Sequence, residues 1–149
     1  MGQHRGAAPP AGAHLAPEDN RQQVHGFYLH RGSLLHESHY FPLLRPLIHK
    51  LQPTALLRVK LNRTARASRP VEYGLHTDVR RPGASTAIYY LNTNNGYTLF
   101  EDGQRVASAA NRIVLFDASV RHTGASCTDA EYRMVLNINM MPPAGRPVS

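Results

Sequence analysis

The chain has one cysteine, no tryptophan, two lysines and no long apolar run, and each shortage excludes something. With Cys127 alone among 149 residues, no intrachain disulfide framework can form, which fits a reducing compartment. Cys127 reads as a loop residue rather than a nucleophile, because no partner base can be identified for it. No stretch approaches the run of roughly eighteen apolar residues that a membrane-spanning helix needs. The N-terminus shows neither the apolar core nor the cleavage site of a secretory leader, so no membrane association is expected. What is abundant is turn chemistry: eleven glycines and eleven prolines, with seven tyrosines, predict short elements joined by many turns.

Charge is uneven. Residues 1–70 carry ten Lys/Arg and three Asp/Glu, a net +7, whereas residues 71–149 carry seven of each. A basic half beside a neutral one is compatible with an acidic ligand or a nucleic acid. Basic and aromatic residues do not interleave as they would in a nucleic-acid groove, and a solvated arginine-rich surface accounts for the charge more simply. Residues 1–20, rich in Gly, Ala and Pro without apolar periodicity, read as a disordered arm. Residues 142–149 read as a short tail, leaving residues 21–141 as one domain of ordinary size.

Within that domain, 24–29 alternates weakly as a first strand. Leu43, Leu44, Leu47, Ile48 and Leu51 recur as a helical stripe, with Pro42 and Pro46 near its start and Pro53 ending it. The segment 55–61 is a strand with polar residues at alternate late positions. Short strands follow over 71–78, 84–92, 97–100, 112–116, 120–124 and 133–140, separated by turn signals. Asn95-Gly96 is a hairpin signal, and Glu101-Asp102-Gly103 makes the next turn. This pattern predicts a mainly β protein with an N-terminal helix, built as a double-stranded β-helix, a form of jelly roll.

The chemistry concentrates late in the chain. His76 and Asp78, as residues i and i+2 of a strand, share a face, and the loop beginning at Val79 puts Asp78 beside an opening. His122 lies at the start of a later strand that can return beside them. Two imidazoles and one carboxylate on one side of a metal is the donor set of a non-haem iron(II) oxygenase. Alone the motif is weak: with this composition chance supplies about 0.3 His-x-Asp pairs. In the last strand Met134, Leu136, Ile138 and Met140 form an apolar face, and Arg133, Val135, Asn137 and Asn139 form the other. An inward Arg with two Asn is costly unless the interior holds a polar ligand. An outward face would be an ordinary solvated one, so the burial of Arg133 decides between the two. His36 and His39 lie three apart, a spacing that could form a second metal pair, but no further ligand joins them.

Taken in order, Leu75-His76-Thr77-Asp78, Ala87 to Asn92, Asn95 to Phe100, Phe116-Asp117, Arg121-His122 and Arg133 to Asn137 resemble the prolyl-4-hydroxylase-like branch of the iron(II)/2-oxoglutarate-dependent dioxygenases. In brevity the chain is similar to small bacterial and phage-type members. The resemblance, covering about 55–140, implies that His76, Asp78 and His122 hold iron(II). It implies that Arg133 pairs with the distal carboxylate of 2-oxoglutarate, a match of guanidinium fork to carboxylate, helped by Tyr90 and Thr98. O2 is then the second cosubstrate and ascorbate a candidate reductant. The implied reaction hydroxylates a C–H bond of a protein or peptide side chain, proline among the candidates, with succinate and CO2 as coproducts. The implied location is the cytoplasm of a bacterial or phage-infected cell. The chain departs from the family where Leu61-Asn62-Arg63 replaces a tyrosine-bearing strand, with Asn62 as a substitute donor. It also departs in Asn95 and Tyr97, which replace a Gly and a Glu. Loops 62–70 and 79–85 would set substrate choice. Small-molecule substrates, a nucleic-acid demethylase or hydroxylase, and a non-enzymatic jelly-roll or virion-associated module with a vestigial metal site are the competing readings. Oligomeric state is not legible in the sequence.

Overall fold

Period-two alternation of side chains does most of the building here. A computed structural model describes residues 22–145; the expected arm, 1–20, and residues 146–149 of the expected tail lie outside them. The elements run β1 (Gln22–Arg31), β2 (Leu34–Glu37), a 3-10 turn (Phe41–Leu44), α1 (Arg45–Leu51), β3 (Ala55–Ala65), β4 (Ser85–Tyr90), β5 (Tyr97–Phe100), β6 (Arg105–Ala107), β7 (Ile113–Asp117), β8 (His122–Ala125) and β9 (Tyr132–Met141). All strand pairs are antiparallel and fall into two sheets, β2-β1-β3-β9-β4-β7 and β6-β5-β8. The fold is mainly β, a jelly-roll core with one short helix.

On one face of the larger sheet Val59, Ala87, Leu136, Ile138 and Met140 pack with Phe27 and Phe41. Leu44, Leu47, Ile48 and Leu51 of the helical segment cover them. Pro46 sits at the start of α1, where its missing N–H costs least, and Gln52 closes the helix in the left-handed region with φ of 47°. The helix is shorter than the leucine stripe suggests because its first turn is a 3-10 turn, and Leu43 points out, 75% exposed. On the other face Ile88, Tyr90, Phe116 and Val135 form a second cluster, closed by Phe100 and Val106 of the smaller sheet. The space between the sheets is therefore partly filled, leaving room for the cavity described below.

Three expectations are corrected. The expected strand over 71–78 is absent; only isolated bridges form, Glu72 with Ala125 and His76 with His122. Gly74 lies between the bridges, and a glycine weakens a strand interior. The Asn95-Gly96 signal does not produce a hairpin between neighbours, because β4 and β5 lie in different sheets. The short strands β2 and β6 are elements that the sequence pattern did not mark; β2 is exposed throughout, so burial leaves no alternation to read. Among the described residues no helix is long and apolar enough to cross a membrane.

Candidate metal centre and its cavity

His76 and His122 are placed by backbone, not by a shared strand face. His76 N–H donates to the His122 carbonyl at 2.9 Å and His122 N–H donates to the His76 carbonyl at 3.0 Å. This reciprocal pair sets the residues opposite each other, with ring centroids 4.8 Å apart. Asp78 completes the group: its Oδ1 lies 3.3 Å from His76 Nε2 and its Oδ2 lies 3.5 Å from His122 Nε2. One ligand atom from each residue lies within 4.8 Å of the others. Adjacent ligands about 2.1 Å from a metal would lie about 3 Å apart, so a small contraction makes a coordination face.

Both imidazoles are held in the orientation a metal requires, with Nδ1 toward the backbone. His76 Nδ1 lies 3.2 Å from the Gly74 carbonyl and His122 Nδ1 lies 3.1 Å from the Val120 carbonyl. A carbonyl oxygen only accepts, so each Nδ1 donates its proton to the backbone and each Nε2 is turned toward Asp78, where it becomes the ligating atom once a metal replaces its proton. This is the outer-shell support expected of ligating histidines. Burial raises the pKa of Asp78, but hydrogen bonds and charge from His122 and His76 outweigh it and hold the carboxyl well below the usual range. The His76 pKa is raised, chiefly by its hydrogen bond to Asp78 and against the effect of burial. The donor set and its geometry fit a divalent metal ion.

Asp78 has a further support. The fully buried Asn139 reaches Asp78 Oδ2 through Nδ2 at 3.5 Å and Thr86 Oγ1 through the same atom at 3.0 Å. Its Oδ1 accepts from Arg58 Nε at 3.1 Å, and Arg58 Nη2 lies 3.9 Å from Asp78 Oδ1. Cross-strand register explains the network, since Arg58 pairs with Asn139 and Asn139 with Thr86 across β3, β9 and β4.

The next rows of the same face line a cavity of about 230 Å³ that runs from the three ligands to Arg133. Lys60 pairs with Asn137 and Asn62 with Val135, and Thr64 pairs with Arg133 at the far end. Arg133 is buried, 6% exposed, which answers the question left open by its alternation: this face points inward. Arg133 Nε donates to Ser108 Oγ at 3.2 Å and Nη2 to Thr98 Oγ1 at 3.4 Å. Tyr90 Oη lies 2.6 Å from Thr98 Oγ1, and the Arg133 guanidinium carbon is 6.0 Å from the Tyr90 ring centre. The structure thus brings Arg133, Thr98 and Tyr90 together, with Tyr90 behind Thr98 and outside the cavity lining.

No carboxylate pairs with Arg133 among the described residues. Burial lowers its pKa, and a buried cation without a counter-charge is costly. The fold nonetheless makes room for it. A Cβ on Gly96 would lie 2.6 Å from Arg133 Cδ, and one on Gly124 would lie 3.0 Å from Nη1. Asn62 lines the cavity, and its Oδ1 is the one buried side-chain polar atom without a hydrogen-bond partner among the described residues. Lys60, whose pKa is lowered mainly by burial and then by Arg58, also faces the cavity; the polar alternation of β3 carries its signal. His36 and His39 are exposed and join no metal-binding cluster among the described residues. Cys127 is buried in a loop, its thiol donating to the Ala130 carbonyl.

No family model matches the sequence, and no curated protein matches it. Solved structures do. A 2OG-Fe(II) oxygenase family oxidoreductase from Burkholderia pseudomallei superposes with a TM-score of 0.60 at 14% identity, covering 86% of this chain and 73% of that one. An RmlC-like cupin protein from Desulfovibrio desulfuricans gives 0.50 at 14% identity, covering 93% and 99%. An HTH_3 family transcriptional regulator from Vibrio cholerae gives 0.50 at 14% identity over 85% of this chain. This chain spans about half of that regulator, 54%. Identities this low speak for the fold alone: the chain has a cupin-like jelly roll, and this fold carries a His-Asp-His cluster of metal-binding geometry.

Proposed function

We propose that this protein is an iron(II)- and 2-oxoglutarate-dependent oxygenase that hydroxylates a C–H bond of a protein or peptide side chain. The observation that carries the reading is the buried Arg133 without a carboxylate partner among the described residues, in the cavity that also opens on His76, Asp78 and His122. A metal site would account for the triad, and an anion reaching from the metal to Arg133 would account for both ends of one cavity. A 2-oxo dicarboxylic acid has that form.

His76, Asp78 and His122 would hold the metal, leaving its other positions for the oxo-acid and O2. The bound metal would supply O2 activation coupled to decarboxylation of the oxo-acid. Overall, 2-oxoglutarate, O2 and R–H become succinate, CO2 and R–OH. The protein's own residues bind and orient. The Arg133 fork and the Thr98 hydroxyl receive the distal carboxylate, with Tyr90 fixing Thr98 from behind. Ile88 and Val135 form an apolar part of the wall, limiting water around the bound chain. The peptide and proline assignments rest on the sequence resemblance alone, as do cytoplasmic location and ascorbate use.

The test is spectroscopic. Anaerobic iron(II) with 2-oxoglutarate should give a weak visible charge-transfer band, and His76→Ala should abolish it while the chain stays folded by circular dichroism. An unchanged band in that variant sinks the assignment of the triad. Succinate formed from 2-oxoglutarate under air then tests the reaction.

A further inference from the structure

A second cavity, of about 650 Å³, also has Asp78 in its wall. This falls within the roughly 300–1,000 Å³ of small-ligand sites. Its other walls include His30 and Arg31 from the end of β1, Arg58 from β3, and Arg80 and Arg81 from the loop after Asp78. Among the described residues Asp78 is its lone carboxylate, and it is already engaged by two imidazoles. Arg31, Arg80 and Arg81 are exposed and form no ion pair among the described residues. Like charges gathered this way repel one another unless a counter-ion is supplied.

The loop is also shaped. Ala84 N–H donates to the Arg81 carbonyl at 3.1 Å, and Gly83 takes the left-handed backbone with φ of +80°. Pro82 restricts Arg81 to extended backbone. Arg80 and Arg81 are thus held two and three residues from a metal ligand. Guanidiniums are suited to carboxylate and phosphate oxygens.

We propose that this arginine-walled cavity binds an anionic group of the substrate, a carboxylate or a phosphate, so that the molecule presented to the metal centre is an anion. The word substrate rests on the function proposed above; the anion site itself does not. Two anion sites then meet at Asp78, one ending at Arg133 and one walled by Arg80 and Arg81.

The test uses the metal-free 149-residue chain, so it stands or falls separately from iron binding. Inorganic pyrophosphate and citrate are titrated at constant ionic strength while backbone amide resonances are followed. Saturable shifts at Arg31, Arg80 and Arg81 are expected, with binding about tenfold weaker in Arg80→Gln/Arg81→Gln. Preference for pyrophosphate would assign a phosphate and preference for citrate a carboxylate, either of which supports the site. Shifts confined to Thr98, Gly124 and Arg133 would place the anion in the other cavity and overturn the proposal. Equal affinity in the double variant would do the same. These two arginines are exposed, and an unchanged melting temperature in the variant removes misfolding as a cause.

Discussion

The two faces of β9 are two different kinds of interior. Leu136, Ile138 and Met140 pack in an apolar cluster under the helix. Arg133, Asn137 and Asn139 are buried too, yet they line a cavity or brace a ligand. One face is buried because burial stabilises it. The other is buried although burial costs it, and the hydrogen bonds of Arg133 and Asn139 offset only part of that cost. Burial alone therefore does not distinguish core from site; a buried cation without a carboxylate partner among the described residues does.

Breaking each face should have different consequences. The largest expected effect is on stability: Ile138→Ala should cost about 2–5 kcal/mol, read by denaturant unfolding, while the iron band survives in the folded fraction. Next, Arg133→Gln should weaken 2-oxoglutarate by about 2–5 kcal/mol, read by titration of the band, and leave iron(II) affinity unchanged. Because it removes an unpaired buried cation, it should not destabilise the chain. A large loss of stability would show that the two faces are alike after all. Asn139→Ala removes the brace on Asp78 and should weaken metal about 10–100-fold, read by anaerobic cobalt(II) titration.

The smallest effect is the pH dependence of the metal-free protein. His76 has a raised folded pKa, so its contribution is full below about 6.5, the unfolded value, and is lost as pH rises through the folded one. Asp78 has a lowered folded pKa, so its contribution is full above about 3.9 and is lost as pH falls through the folded one. His76 and Asp78 together therefore favour the metal-free fold most in the mildly acidic window between these limits. A metal requires neutral imidazole, so metal-induced stabilisation should grow with pH across the range where the metal-free protein loses it. Melting curves with and without cobalt(II) that run parallel would contradict this.

Much of this was legible in the sequence, for reasons that can be named. The alternation in β9 predicted both faces, and strand count and turn chemistry predicted a jelly roll. His76, Asp78 and His122 stood out by residue type and order, and the structure gathers them. The manner of gathering was hidden: the chain at His76 is a single bridge, and the groups fixing the imidazoles are the Gly74 and Val120 carbonyls, which no side-chain pattern encodes. The Arg58–Asn139–Asp78 network was equally hidden, since it joins residues 81 and 61 positions apart. Lys60 was present in the β3 alternation, but only register with Asn137 gives it a place.

Gly96 takes no unusual backbone angle; its value lies in the atom it lacks, because a Cβ there would overlap the Arg133 side chain and the Ala125 carbonyl. One methyl group at that position could separate the two halves of the cavity chemically, sparing the three metal ligands while displacing the cation opposite them. On the function proposed above, metal capture and anion capture would be independent traits joined in one chamber, and a relative with a side chain at this position would keep the first and forfeit the second.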